Sequence, residues 1–419
     1  MSFQQALSGL NAAGKNLDVI GNNVANANTV GFKAARAEFA DVYASTVLGT
    51  YSNNIGIGTK LNSVTQMFTQ GAISVTSNPF DVAISGEGFF RMDNAGSIVY
   101  SRNGQFHLDA NGYVVNANGL RLTGYVADAN GNINAAQPQP LRLTVSSIEA
   151  RGTSEVTQGS VLDSRADAID RTVKPFNPED STTYTHATSI AVYDSLGNTH
   201  TLSTFYVKRE PGQWEVYTAL NGKVTNTDTD GDGLPNGAPL VFDASGKIDL
   251  AASNNGVFQV NVDAATLGTG ATGLSINYNM ASTSQTGQAF SNELQRQDGY
   301  TSGRLTSFTI DENGILKANY SNQQSRAQGQ ITLVSFVNPQ GLVSAGSNNF
   351  LETILSGGPR IGVPGSSNFG TVTSGALEDA NVDLTGELVN MITAQRVYQA
   401  NAQTIKTQDS LMQTLVNMR

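Results

Sequence analysis

Residues 384–419 read LTGELVNMITAQRVYQANAQTIKTQDSLMQTLVNMR, and from Glu387 onward this run contains neither glycine nor proline. Leu384, Met391, Tyr398, Ile405 and Met412 recur every seventh residue, with Leu388, Ala402 and Val416 beside them. That spacing keeps apolar side chains on one face of an α-helix, the seam through which helices pack on one another. A helix of about 35 residues would be ~50 Å long at ~1.5 Å per residue. Asp383 or Asn381 stands where an amino-terminal cap belongs. Gln395 and Asp409 fall in the companion register, so the stripe is imperfect.

The other end of the chain carries a matching pattern. Phe3, Ala6, Leu10, Ala13, Leu17, Ile20, Val24 and Ala27 are spaced alternately three and four residues apart, while Gln5, Asn11, Lys15, Asp18 and Asn22 take the opposite face. Gly9, Gly14 and Gly21 each cost about 1 kcal/mol of helix propensity relative to alanine, so this segment is weakly helical alone. Roughly eight apolar positions per helix, at ~1.5–3 kcal/mol for full burial, must offset ~1–2 kcal/mol of backbone entropy for each residue ordered. One partner barely suffices, and helices at both ends gain most by packing on copies of themselves. A head-to-tail contact that does not close on itself builds a helical filament. The residues expected at that subunit interface are Leu10, Leu17, Ile20, Val24, Leu384, Leu388, Met391, Tyr398, Ile405 and Met412.

Between the two ends the pattern changes to alternation broken by turns. Asp93–Gly96, Asp109–Gly112, Asp128–Gly131 and Asp311–Gly314 read as type I turns closed by a left-handed glycine, and Asp194–Gly197 and Asp243–Gly246 continue the theme. Ile190–Tyr193, Thr201–Val207, Trp214–Tyr217 and Ile331–Phe336 are rich in β-branched and aromatic residues. The expected fold is mainly β, with two β-rich domains and long terminal α-helices forming a coiled-coil-like unit. Residues ~44 to 78 form a polar, glycine-rich connector, and a second polar stretch covers Ser282 to Gly303. The domains are therefore nested and discontinuous. Residues 1–72 plus 378–419 make a helical polymerisation unit with its connector, 73–147 plus 299–377 a first β domain, and 148–298 an inserted β domain.

Composition narrows the function. The net charge of −10 and the lack of clustered Lys and Arg speak against nucleic acid and anionic membrane surfaces. Zero cysteines remove thiol nucleophiles, disulfides and thiolate metal sites, and His107, His186 and His200 are scattered singly. No stretch approaches ~18 consecutive apolar residues, so no membrane insertion is expected, and no cleaved secretory signal is legible. Asp228–Gly233 has the ligand spacing of a calcium loop, but position twelve would be Pro239 instead of a bidentate Glu, so a solvated hairpin loop is the better reading. Gly86-Glu87-Gly88 leads into Phe89, Phe90 and Met92, a strand, so it reads as a bend and not a phosphate cradle. Asp194 lies six residues from His200 without a nucleophile motif around it. No catalytic, cofactor or metal residue is assigned, and the chain reads as a non-enzyme.

The run Leu10-Asn11-Ala12-Ala13, then Leu17-Asp18-Val19-Ile20-Gly21-Asn22-Asn23-Val24-Ala25-Asn26 and Thr29-Val30-Gly31-Phe32-Lys33, resembles the amino-terminal signature of the bacterial flagellar rod and hook axial proteins. Asn381-Val382-Asp383-Leu384, Glu387 to Ile392, Ala394-Gln395-Arg396 and Tyr398 to Ala402 are similar to the paired carboxyl-terminal signature. Phe80 to Ile84, Gly88-Phe89-Phe90 and Tyr100-Ser101-Arg102-Asn103-Gly104 resemble that family's first β domain, with Phe80 where a smaller aliphatic residue is common. The likeness covers about residues 1–147 and 299–419.

That resemblance implies export unfolded through the flagellar channel without a cleaved signal, and an extracellular place in the flagellum. It implies a homopolymer whose terminal helices form an inner tube and whose β domains form outer layers, with no cofactor. Partners would be the rod and the hook–filament junction proteins, the hook cap and the export apparatus. About 150 inserted residues favour a hook subunit, a flexible universal joint passing torque from rod to filament, over a distal-rod subunit. The alternative from another class is a calcium-dependent β-rich adhesin or binding module. A polysaccharide hydrolase would need paired carboxylates that the sequence does not place.

Overall fold

A computed structural model of the chain describes residues 2–42, 56–170, 172–227, 234–366 and 368–417. The calcium-like loop at Asp228–Gly233 lies outside the described residues. Among the described residues the α-helices are α1 (Ser2–Ala25), the single turn α2 (Ala264–Leu267) and α3 (Leu384–Asn417), and the remainder is dominated by strands. The expected mainly-β fold with long terminal helices is what the chain adopts. It divides into two compact units, residues 1–145, 307–319 and 325–419 in one, and 146–306 with 320–324 in the other.

In the first unit, Ala35–Val42 (β1) and Gly58–Gln66 (β2) pair antiparallel. Part of the stretch read as a connector is thus a strand with its backbone groups paired along β1. Its two large apolar residues, Leu61 and Val64, are three apart, so Gly58–Gln66 carries no period-two alternation from which a strand could be read. Ile73–Val75 (β3) and Val82–Ser85 (β4) follow, then Phe89–Asn94 (β5) and Ser97–Ser101 (β6), which belong to a large, mainly antiparallel sheet. Successive residues of a strand point to opposite faces, and both faces of β5 are covered. Phe90 and Met92 enter a core with Val82, Ile84, Leu122, Leu333 and Val372. Phe89 enters another with Tyr100, Phe336 and Phe350. Phe80 packs its ring on Phe308 at 5.8 Å.

The chain then returns to its beginning. Thr371–Ser374 pairs with β4, and Ala376–Glu378 pairs with β3, directly ahead of α3. Asp383 caps α3: its Oδ1 accepts the Thr385 amide at 3.1 Å and its carbonyl accepts that of Glu387 at 2.9 Å. Asn381, the other expected cap, has a different task. Its Oδ1 accepts the Ala34 amide at 2.7 Å and its Nδ2 donates to the Met67 carbonyl at 2.6 Å, tying the entry of α3 to the residue before β1 and the residue after β2.

The second unit stacks two sheets around one core. One contains Glu155–Asp163, which pairs in parallel with Leu274–Asn279 and Ser284–Thr286 and antiparallel with Ser291–Gln297. The other is a meander of His186–Tyr193, Thr199–Glu210 and Gln213–Leu220. Trp214, Tyr206, Leu202, Ile276 and Tyr278 fill the space between them.

Five of the six Asp-x-x-Gly turns form as read, with the glycine amide donating to the Asp carbonyl at 2.9–3.0 Å and the glycine φ between +74° and +86°. Asp93–Gly96 differs. Asn94 pairs with Ser97, so the loop is only Ala95-Gly96, both at positive φ, which is a type I′ hairpin. Strand twist selected that turn, and only the pairing of β5 with β6 reveals it.

Candidate functional site: the joined chain ends

α1 and α3 lie against each other in antiparallel register. A Cβ at Gly9 would sit 2.9 Å from Asn401 Oδ1, and Asn23 Nδ2 donates to Glu387 Oε1 at 3.3 Å. Each step toward the amino end of α1 is therefore a step toward the carboxyl end of α3, and Phe3 comes level with Thr407. Leu411 and Met412 lie beyond the start of α1, and both are exposed. Gly9, costly to the helix alone, is what lets the two backbones approach at this point.

Small residues and one isoleucine make the centre of the contact, with larger side chains at its margins. Ala6, Ala13, Ile20 and Ala394 are buried, and Leu10, Leu17, Val24, Met391 and Ile405 are half-buried. Leu384, Leu388, Tyr398 and Met412, expected at an interface, are exposed. So are Val389, Ile392, Val397 and Leu411, which the heptad count passed over because they lie outside its stripe. The intramolecular pair thus uses one edge of α3 and leaves other apolar side chains in water. Between α1, α3 and β1 lies a groove of about 440 Å³ lined by Ile20, Asn23, Ala35, Met67, Ala394 and Val397.

Asn23 fixes the turn out of α1. Its Oδ1 accepts the Ala35 amide at 2.9 Å and its Nδ2 donates to the Ala35 carbonyl at 2.8 Å, so β1 begins in a set position relative to the helix. Below that turn three charges are buried together. Lys33 Nζ lies 2.6 Å from Glu378 Oε1, Arg102 Nη1 lies 3.1 Å from Glu378 Oε2, and all three side chains are at most 5% exposed. Gly71 donates its amide to Glu378 Oε1 at 2.9 Å, Lys33 also donates to the Thr69 carbonyl at 2.7 Å, and Arg102 Nη2 to the Gly86 carbonyl at 2.7 Å. Burial pulls both cations below their ordinary pKa values, while Glu378 works in the opposite direction. Gly31, at φ +69°, passes so close to Arg102 and Asn103 that a Cβ would come within 2.6 Å of the Asn103 amide nitrogen. Its own amide donates to the Glu378 carbonyl at 2.7 Å.

Lys33 and Arg102 stand inside the signature runs quoted from the sequence, but Glu378 was not singled out. A lone glutamate in a strand gives no sign of two cations 276 and 345 residues away. His186 stacks on Phe290 at 4.7 Å, and His200 is a buried partner of the Asp194 turn at 3.3 Å. Asp194 also receives Thr269 Oγ1 and Asn198 Nδ2, and although burial pushes its carboxyl upward, these donors outweigh it and hold the group well below the usual range.

Over its whole length the chain is 41% identical to "Flagellar hook protein FlgE" of Salmonella typhimurium, an alignment of 427 residues covering all of both proteins. The chain belongs to the flagellar hook protein family. The hook protein of Escherichia coli is likewise 41% identical over the full length of both, and that of Treponema pallidum 33% identical over all of this chain and 99% of its own. Family models match in four pieces: "Flagella basal body rod protein" at residues 3–33, "Flagellar hook protein FlgE/F/G D1 domain" at 83–156, "Flagellar basal body protein FlaE D2 domain" at 161–300 and "Flagellar basal body rod FlgEFG protein C-terminal" at 373–418. The crystal structure of the Helicobacter pylori hook protein FlgE2 shares the fold, with a TM-score of 0.55 at 15% identity over 73% of this chain and 100% of that one. The first and last of these matches bracket α1 and α3, so the hook protein's paired helices are the family's shared ends. As a member, it is a polymeric structural component of the flagellar hook.

Proposed function

We propose that this hook protein polymerises through α1 and α3 into a short curved tube, and that the tube works as a universal joint between rod and filament. The observation that carries this reading is the exposed apolar patch of Leu384, Leu388, Val389 and Ile392 near the start of α3, together with exposed Leu411 and Met412 past the end of α1. Each such side chain would contribute ~1.5–3 kcal/mol if fully buried, and the monomer buries none of them fully. Leu10, Leu17, Ile20 and Val24 of α1, with Met391, Tyr398 and Ile405 of α3, are the remaining residues assigned to the subunit interface in this reading.

Residues 1–72 with 378–419 act as the polymerisation segment, 73–147 with 299–377 as a first β domain, and 148–298 as an inserted one. Only 14% of residues are charged, so few strong ion pairs would lock one register between neighbouring copies, and bending can proceed while the helices carry torque. Extracellular placement follows from the hook itself, with the rod, the junction proteins, the cap and the export apparatus as partners. The work is mechanical, not catalytic. Relatives matched over their full length are hook proteins, and they lend no support to a distal-rod or calcium-adhesin alternative.

Electron microscopy of concentrated full-length protein tests the reading. Tubes are expected from the parent chain, and monomers with unchanged circular dichroism from Leu388→Asp/Ile392→Asp. Tubes from that variant at the parent concentration would refute the assignment of the patch.

A further inference from the structure

The turn at Glu352–Gly357 presents Ile354 fully exposed, at 100%, and Leu355 at 77%. Nothing about this turn is loose. Ser356 is completely buried; its Oγ accepts the Thr353 amide at 2.9 Å and donates to the Thr353 carbonyl at 2.8 Å. Thr353 Oγ1 donates to the Gly341 carbonyl at 2.6 Å, and Asn338 Nδ2 to the Leu355 carbonyl at 3.1 Å. At the base, the Tyr100 hydroxyl donates to Glu352 Oε2 at 2.6 Å. The fold therefore holds a rigid backbone under two large apolar side chains that it leaves in water. Val337, beside Gly357, is exposed with them.

From Val337 to Pro359 the single ionisable side chain is Glu352, which Tyr100 already engages. Such a turn can be dehydrated without stripping water from a free charge of its own. Rigid, preformed apolar projections are what anchor a protein contact, because ordering them costs little on binding.

We propose that Ile354 and Leu355 are an apolar knob that seats in a neighbouring copy of the same chain, making a subunit contact separate from that of the terminal helices. This rests on the polymer reading above, which supplies the copy at a fixed distance. The contact is heterologous, knob into a socket elsewhere on the next subunit, the type that propagates and does not close.

The chain has no cysteine, so Ile354→Cys introduces a single thiol. Its modification by a maleimide-linked polyethylene glycol, measured on monomers and on tubes of the full-length chain, should slow at least tenfold in the tubes. Equal rates would overturn the proposal. Ile354→Asp/Leu355→Asp should melt like the parent, since both side chains are exposed in the monomer, while its critical concentration for tube formation rises at least tenfold. Tubes from the double variant at the parent concentration would overturn the knob alone. Failure of the unsubstituted chain to form tubes at any concentration would overturn the polymer reading together with it.

Discussion

Replacing Glu378 by Gln removes one negative charge from a site that holds two buried cations, with almost no change of shape. Glu378 Oε1 is 2.6 Å from Lys33 Nζ and Oε2 is 3.1 Å from Arg102 Nη1. Breaking a buried pair by deleting one partner typically costs ~3–5 kcal/mol, because the remaining charge stays desolvated. Lys33 has an escape by losing its proton, at most about 4.6 kcal/mol at pH 7 for a lysine of ordinary pKa near 10.4, and less here because burial already lowers it. Arg102 has no such escape. The expected loss is therefore about 3–5 kcal/mol, confined to the unit that contains residues 33, 102 and 378. Trp214, the single tryptophan, belongs to the other unit. Urea unfolding of the full chain separates the two: far-ultraviolet circular dichroism reports both units, and Trp214 fluorescence reports its own. At an m-value of about 2 kcal/mol/M the first unit's midpoint should fall by about 1.5–2.5 M, with the Trp214 midpoint unmoved. Lys33→Met/Glu378→Gln, with one buried cation instead of two, should recover part of the loss. A Glu378→Gln midpoint within about 0.3 M of the parent would refute the claim that these charges hold the chain ends to the β core.

Gly31→Ala should destabilise the same unit by more than about 2 kcal/mol, since it combines a positive φ with a backbone collision, whereas Gly119→Ala, at φ +77° with open space around it, should cost about 1–2 kcal/mol; urea midpoints compare them. Ile20→Asp puts a carboxylate where the α1–α3 contact is 5% exposed, so it should reduce helical circular dichroism in the monomer, a loss that Leu388→Asp at its exposed position should not share. The carboxyl of Asp194 is held low by its donors, so its stabilisation is complete above the unfolded value of about 3.9 and disappears as pH falls through the folded value. Thermal melts followed by Trp214 fluorescence from pH 7 to pH 2 should show that decline, and Asp194→Asn should flatten it below pH 4.

Much of this molecule was legible from residue spacing. Period-seven recurrence in 384–412 and the three-four stripe in 3–27 depend only on the 3.6-residue helical turn, and Asp-x-x-Gly turns depend on a side-chain acceptor and a glycine three residues on. These are local rules, and the helices and five of the six turns obey them. Spacing also named Leu384, Leu388, Tyr398 and Met412 as interface residues, yet it could not say that they stay exposed while Ala6, Ala13, Ile20 and Ala394 make the contact within the chain. That choice depends on the antiparallel register of α1 and α3, set by Gly9 against Asn401 and Asn23 against Glu387.

The sequence by itself therefore determined the ends, the β-rich middle and the family, because each is written in neighbours along the chain. Tertiary structure alone decided that Lys33, Arg102 and Glu378 form one buried cluster, that part of the connector pairs as β2, and that Ile354 stands on a rigid turn in water. Charge pairing and desolvation act through space over a few ångströms, and residues hundreds of positions apart reach that distance only when both ends of the chain have returned to the same core.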